Sequence, residues 1–125
     1  MLTTMNARVY VCTEHQDMRK SFDGLYGLAK HVLEEDPLSG ALFVFFNRRR
    51  NQLKVLYYER GGLCLWAKRL ERGTFELLSS VDGTRKRTIT QSELLLLTEG
   101  VNLSSVEHRV RYEPRERSVD VRENP

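Results

Sequence analysis

The chain has 125 residues, 40% apolar and 30% charged, with 20 basic against 17 acidic side chains and a net charge of +3. That is room for one domain, which buries roughly two-thirds of the surface its unfolded chain exposes. The composition excludes a membrane span, a collagen and a fully disordered chain. The small excess of base, taken whole, does not argue for nucleic acid.

The longest apolar stretch, Ala41 to Phe46, has six residues, whereas a membrane helix needs about 20. The first residues lack the long apolar region of a secretory signal. Cys12 and Cys64 sit in apolar runs without a CxxC spacing. That usage favours buried free thiols in a reducing cytoplasm over a disulfide.

In chain order, Arg8 to Cys12 reads as a short strand, rich in β-branched and aromatic residues. Asp17 is placed to cap a helix. In that helix Met18, Phe22, Leu25, Ala29 and Val32 recur at three- and four-residue steps, and Pro37 ends it. Gly24 and Gly27 within this pattern suggest close packing of the helix on a sheet. A β-meander follows. Leu42 to Phe46 is a dense apolar strand, Asn47-Arg48-Arg49-Arg50-Asn51 a polar turn, Leu53 to Arg60 a second strand and Leu63 to Leu70 a third. Phe75 to Ser79 reads as a fourth.

With Gly61 and Gly62 as hairpin loop residues, counting places Tyr57 opposite Trp66, Val55 opposite Lys68 and Glu59 opposite Cys64. One face then carries Leu56, Tyr58, Leu65 and Ala67, with Lys54 and Arg69 toward one end. The other carries Leu53, Val55, Tyr57, Trp66 and Leu70, with Lys68. Both are substantially apolar. One receives the first helix; the other meets later elements, a partner or nucleic acid.

Val81 to Arg87 reads as a loop or loose hairpin with a basic triplet. Thr90-Gln91-Ser92-Glu93 matches a capping box, Leu94 to Leu97 continues that short helix, and Gly100 is placed to stop it. Val106, His108, Val110 and Tyr112 alternate with charged residues as an edge strand would, and Glu113 to Pro125 has the composition of a disordered tail. The expected fold is α+β: an antiparallel meander sheet of four to five strands, packed by one long N-terminal helix, with a short second helix. The expected division is one domain over 1–103 and a charged tail over 104–125.

Divided by segment, the charge becomes informative. Residues 1–47 hold four basic and six acidic side chains, residues 48–72 eight and two, and residues 73–125 eight and nine. The middle segment is therefore net +6 between two mildly acidic flanks. Arginine forks can grip phosphate oxygens and release condensed counterions, while Tyr57, Tyr58 and Trp66 could stack on bases. The plainer alternative is a solvated hairpin with its aromatics in the core. Arg19 and Lys20 near the start of the first helix either answer to Asp17 and Asp23 or reach toward an anion. The histidines and cysteines show no short zinc-ligand spacing, and no P-loop or selected carboxylate pair is present. The residues thus imply no cofactor, no metal and no catalytic centre.

Several runs together resemble a known family. Asp17-Met18-Arg19-Lys20-Ser21-Phe22-Asp23-Gly24-Leu25, Leu42 to Arg50, Lys54-Val55-Leu56-Tyr57-Tyr58, Leu65 to Phe75 and Leu94 to Val101 are similar, in that order, to segments of the small second-frame accessory protein (TnpB) of the IS-sixty-six family of bacterial insertion sequences. The likeness covers about residues 9–102. Ser21, Phe46 and Tyr58 depart from the family pattern, in which glycine, arginine and tryptophan are common. The resemblance implies a cytoplasmic, non-enzymatic role in transposition beside a large transposase and another small protein, with no established catalytic residues. It leads to a hypothesis for the basic segment: Arg48, Arg49, Arg50, Lys54, Lys68, Arg69 and Arg72, with Arg19 and Lys20, contact phosphates of DNA at the element's ends. The rival reading is a protein-interaction module that docks on the transposase, or on a second copy, through the apolar face bearing Tyr57 and Trp66. A nuclease would need three convergent carboxylates that no spacing selects.

Overall fold

The computed structural model describes residues 7–101 and Leu103. In chain order the elements are β1 (Val9–Cys12), α1 (Phe22–His31), β2 (Leu42–Phe46), β3 (Gln52–Glu59), β4 (Gly62–Arg69), β5 (Lys86–Ile89) and α2 (Gln91–Thr98). The fold is α+β, with a five-stranded sheet in the order β4-β3-β2-β1-β5. The β2-β3-β4 meander is antiparallel, as is the β1–β5 pair. β1 and β2 run parallel, so the chain must cross over between them, and α1 is the crossover.

β2 lies mid-sheet and is buried at every residue. An apolar run without alternation is what two covered faces require. On one face Phe43 and Phe45 join Tyr10, Cys12 and Leu56 beneath Leu25, Ala29 and Leu33 of α1 and its exit. On the other, Leu42, Val44 and Phe46 join Val9, Val11, Leu53 and Val55 beneath Leu94 and Leu97 of α2, together with Phe75, Leu78 and Leu103. The second apolar face is thus met by later elements of the same chain.

The β3–β4 hairpin turns one residue earlier than the Gly61-Gly62 count places it. Its loop residues are Arg60 and Gly61, with φ of 53° and 81°, the double positive φ of a type I′ turn. Tyr57 therefore faces Cys64, Val55 faces Trp66 and Leu53 faces Lys68. The pairing moves by two residues, an even shift, so every side chain keeps its expected face.

α1 is shorter than the periodicity suggests. Asp17 does not cap it: the N-cap is Ser21, without a side-chain bond. Asp17 instead accepts from the backbone N–H and the guanidinium of Arg19. The carbonyls of Met18 and Lys20, which a longer helix would turn inward, accept from the Lys54 ammonium at 2.8 and 2.7 Å. At the other end the helix stops well before Pro37. Its last bonds widen, with Leu33 N–H donating to the Leu28 carbonyl and Glu35 N–H to that of Ala29, and Glu34 turns into the left-handed region at φ 57°.

Two further segments differ from expectation. Phe75 to Ser79 forms no strand: Phe75 and Leu78 are buried and Leu77 is 65% exposed, a three-residue spacing that a period of two cannot produce. β5, by contrast, comes from the stretch read as a loop. Its polar sequence suits an edge strand; Lys86 stands 5.2 Å from the Tyr10 ring centroid and pairs with Glu35. In α2 the capping box is present as expected, Glu93 N–H donating to Thr90 Oγ1 at 3.0 Å and Thr90 N–H to Glu93 Oε1 at 2.8 Å. Gly100, at φ 84°, closes the helix, with Val101 N–H donating to the Leu96 carbonyl, a Schellman ending. The alternation over 106–112 and the tail from Glu113 lie outside the described residues.

Both cysteines are free thiols, and burial pushes that of Cys12 up. Among the described residues, no helix is long and apolar enough to cross a membrane.

Gly24 and Gly27 do not mark a tight helix–sheet contact. Gly24 is exposed, and nothing lies within 4 Å of where a Cβ on Gly27 would stand. Gly27→Ala is expected to stabilise the fold by about 0.5–1 kcal/mol, because glycine loses more backbone freedom than alanine in a helix. A urea midpoint raised at unchanged m-value is the expected reading.

Candidate nucleic-acid interface

The basic residues converge where β2 ends, β3 begins and β4 ends. Two adjoining depressions open there. The larger, about 780 Å³, is lined by His15, Gln16, Asp17, Met18, Arg19, Asn47, Arg48, Arg49 and Gln52. The smaller, about 290 Å³, is lined by Met18, Gln52, Leu53, Lys54, Ala67, Lys68 and Arg69. Met18 and Gln52 belong to both. Six of the nine expected cations therefore line one continuous area, although they come from three separate stretches of chain.

The turn that carries the arginines is held by its asparagines. Asn47 Oδ1 accepts from the N–H groups of Asn51 and Gln52 at 3.1 and 3.0 Å, and Asn47 Nδ2 donates to Asn51 Oδ1 at 2.7 Å. The Asn51 carbonyl accepts from Leu70 N–H and the Arg50 carbonyl from Phe75 N–H, each at 2.7 Å. Arg50, at φ 60°, folds back with its guanidinium carbon 5.4 Å from the Phe46 ring centroid, and burial lowers its pKa. Arg48 and Arg49 point into solvent and make no ion pair with any described residue.

The other cations are engaged to different degrees. Arg19 makes a forked pair with Asp17, whose carboxyl is held well below its ordinary range by hydrogen bonds from Arg19. Both side chains are exposed, so an incoming anion can compete for the guanidinium at small cost. Arg69 meets Glu71 at 3.4 Å with both side chains exposed. The Lys68 ammonium donates to the Thr98 carbonyl at 2.7 Å, at the C-terminal end of α2, where a cation suits the helix dipole. Lys54 spends two of its three donors on Met18 and Lys20. Lys20, half-buried, and Arg72, exposed, line neither depression.

Tyr57 and Trp66 are placed elsewhere. Both lie on the face covered by α2; Tyr57 is 9% exposed, with its phenol pKa pushed up by burial, and Trp66 is half-buried. Among the described residues, no group of three or more His, Cys, Asp or Glu side chains could hold a metal ion. Gln16, Met18 and Gln52 line the site without any signal in their local sequence.

Residues 7–108 match the family described as IS66 Orf2 like protein. The chain belongs to that family. This membership associates it with the accessory proteins of insertion sequences. Two relatives come from Sinorhizobium fredii (strain NBRC 101917 / NGR234). Uncharacterized protein y4hO is 39% identical over 97 residues, covering 78% of this chain and 83% of the relative. Uncharacterized protein y4jC is 32% identical over 102 residues, covering 82% and 86%. No solved structure matches the chain. Four of the segments that carry the family likeness, around Asp17–Lys20, Asn47–Arg50, Lys54 and Lys68–Leu70, meet at the two depressions.

Lys54 fixes the wall they share. Lys54→Met is expected to destabilise the domain by about 2 kcal/mol, since it strips two carbonyls of a charged donor. Urea unfolding measures the loss, and faster amide exchange at Lys20 than in the unsubstituted protein locates it.

Proposed function

We propose that this family member is a non-enzymatic accessory protein of transposition that binds DNA through the basic end of its sheet. The supporting observation is the convergence of Arg19, Arg48, Arg49, Lys54, Lys68 and Arg69 on two adjoining depressions. Within this set Arg48 and Arg49 are the leading contacts, because they are exposed and unpaired among the described residues. A guanidinium offers planar forked donors that match two phosphate oxygens. Arg19, Arg69 and Arg72 extend the surface by exchanging solvent or a local carboxylate for phosphate, and Lys20 and Arg50 add to the field from behind. Lys54 and Lys68 contribute charge while they brace the walls. Binding of this kind tolerates any sequence, so the choice of element ends rests with the partner transposase. Docking on that transposase through Tyr57 and Trp66 draws less support, since α2 and the Phe75–Leu78 segment already cover their face.

The paired variant Arg48→Ala/Arg49→Ala tests the reading. It is expected to weaken DNA binding at low salt on the order of tenfold. The slope of log K against log salt is expected to flatten by about 0.9 for each duplex phosphate left without its cation. Gel-shift titrations across salt concentrations, with far-UV circular dichroism to show an intact fold, measure both. Unchanged affinity in the folded variant would exclude these arginines as the groups that grip DNA.

A further inference from the structure

The depressions are rich in charge and poor in rings. No Tyr, Trp or Phe lines either of them. Tyr57 and Trp66 lie on the face that packs against α2. Tyr58 pairs with Leu63 near the hairpin tip, four residues along β3 from Lys54 and so about 13 Å away at a strand's rise. Phe22, 43% exposed, opens α1 but lines neither depression. His15 supplies one imidazole at the rim.

Single-stranded nucleic acid is held by successive bases stacked on aromatic side chains, with a basic groove along the backbone. Here only the second component is present. A surface that reads charge alone prefers the denser polyanion, and duplex DNA carries a charge per about 1.7 Å of axis against about 3.4 Å for one of its strands. The rigid geometry also suits a stiff partner. The Asn47 bonds hold the Arg48–Arg49 turn, and the Lys54 bonds hold the Met18–Lys20 wall, so the backbone that carries the guanidinium groups is set before binding.

We infer that the polymer taken by this site is double-stranded DNA, gripped at its phosphates by the Arg48 and Arg49 forks with no base unstacked. The inference rests on the DNA-binding reading above and adds the class of DNA. Fluorescence anisotropy at low salt tests it, with a labelled mixed-sequence duplex, A·T-rich and G·C-rich duplexes, and oligothymidylate of equal length. The duplexes are expected to bind alike and about tenfold more tightly than the single strand. Phe22→Ala is expected to leave duplex affinity unchanged. Oligothymidylate binding as tightly as duplex, or a loss in Phe22→Ala as large as that of the double arginine variant, would overturn the choice of duplex and leave the DNA-binding reading standing. Binding to neither polymer would remove both.

Discussion

The Lys54 ammonium is the contact on which the shape of the basic end depends. It reaches from β3 to the carbonyls of Met18 and Lys20. In a helix beginning near Asp17, those carbonyls would accept from N–H groups four residues on. Lys54 takes them instead, so α1 begins at Phe22 and the residues just before it form a turn at the end of the sheet, with Lys20 N–H donating to the Asp17 carbonyl. That turn, with His15 and Gln16 before it, forms one wall of the larger depression; the Asn47–Asn51 turn forms the other. A helix started one turn earlier would replace the wall with a helix end. The lysine therefore sets a secondary-structure boundary and a surface shape with the same two hydrogen bonds.

Much of the fold is legible in the sequence because alternation and dense apolar runs report burial directly. The meander strands, the capping box at Thr90 and Glu93, and the stop at Gly100 follow from local chemistry that tertiary packing leaves alone. The hairpin register moves with a choice between two glycine-containing turns, yet the faces survive because the displacement is even. The start of α1 is hidden because its apolar spacing continues back to Met18, while the bonds that end it come from a lysine remote in sequence. β5 is invisible for the opposite reason. Its lysine and arginine look like loop residues, and only the Tyr10 ring and Glu35 beside Lys86 show how an edge strand accommodates them. Phe75 and Leu78 carry apolar signal without strand period, and the chain uses them as plugs under α2.

The candidate site is legible as charge but not as geometry. Segment arithmetic finds the stretch that supplies most of the cations lining the depressions, since residues 48–72 carry the excess of base. It cannot show that Arg50 turns back over Phe46, that Lys68 holds the end of α2, or that Arg19 joins Arg48 and Arg49 across a gap in sequence. Pairing distances depend on where the backbone folds, and composition is silent on that. The aromatic residues in the same stretch are open to two readings, stacking on bases or packing in the core. Their parity on the strands, once α2 covers the odd face of β3, places Tyr57 in the core.

This division of labour among the cations has a physical logic. A lysine ammonium is a compact charge on a flexible stem and can satisfy carbonyls in several directions, which suits bracing. An arginine fork is planar and weakly hydrated, which suits phosphate. The two lysines of the basic end bind backbone carbonyls, whereas four arginines, Arg19, Arg48, Arg49 and Arg69, present their guanidinium groups at its exposed surface. Two of those four carry a neighbouring carboxylate, Asp17 and Glu71. In water such exposed pairs contribute little to stability, so they leave the scaffold almost unaffected while lowering the local field. An anion that displaces them gains less than it would from a bare guanidinium. The strongest attraction is thereby concentrated on Arg48 and Arg49 at the turn tip, where the Asn47 bonds make the backbone rigid.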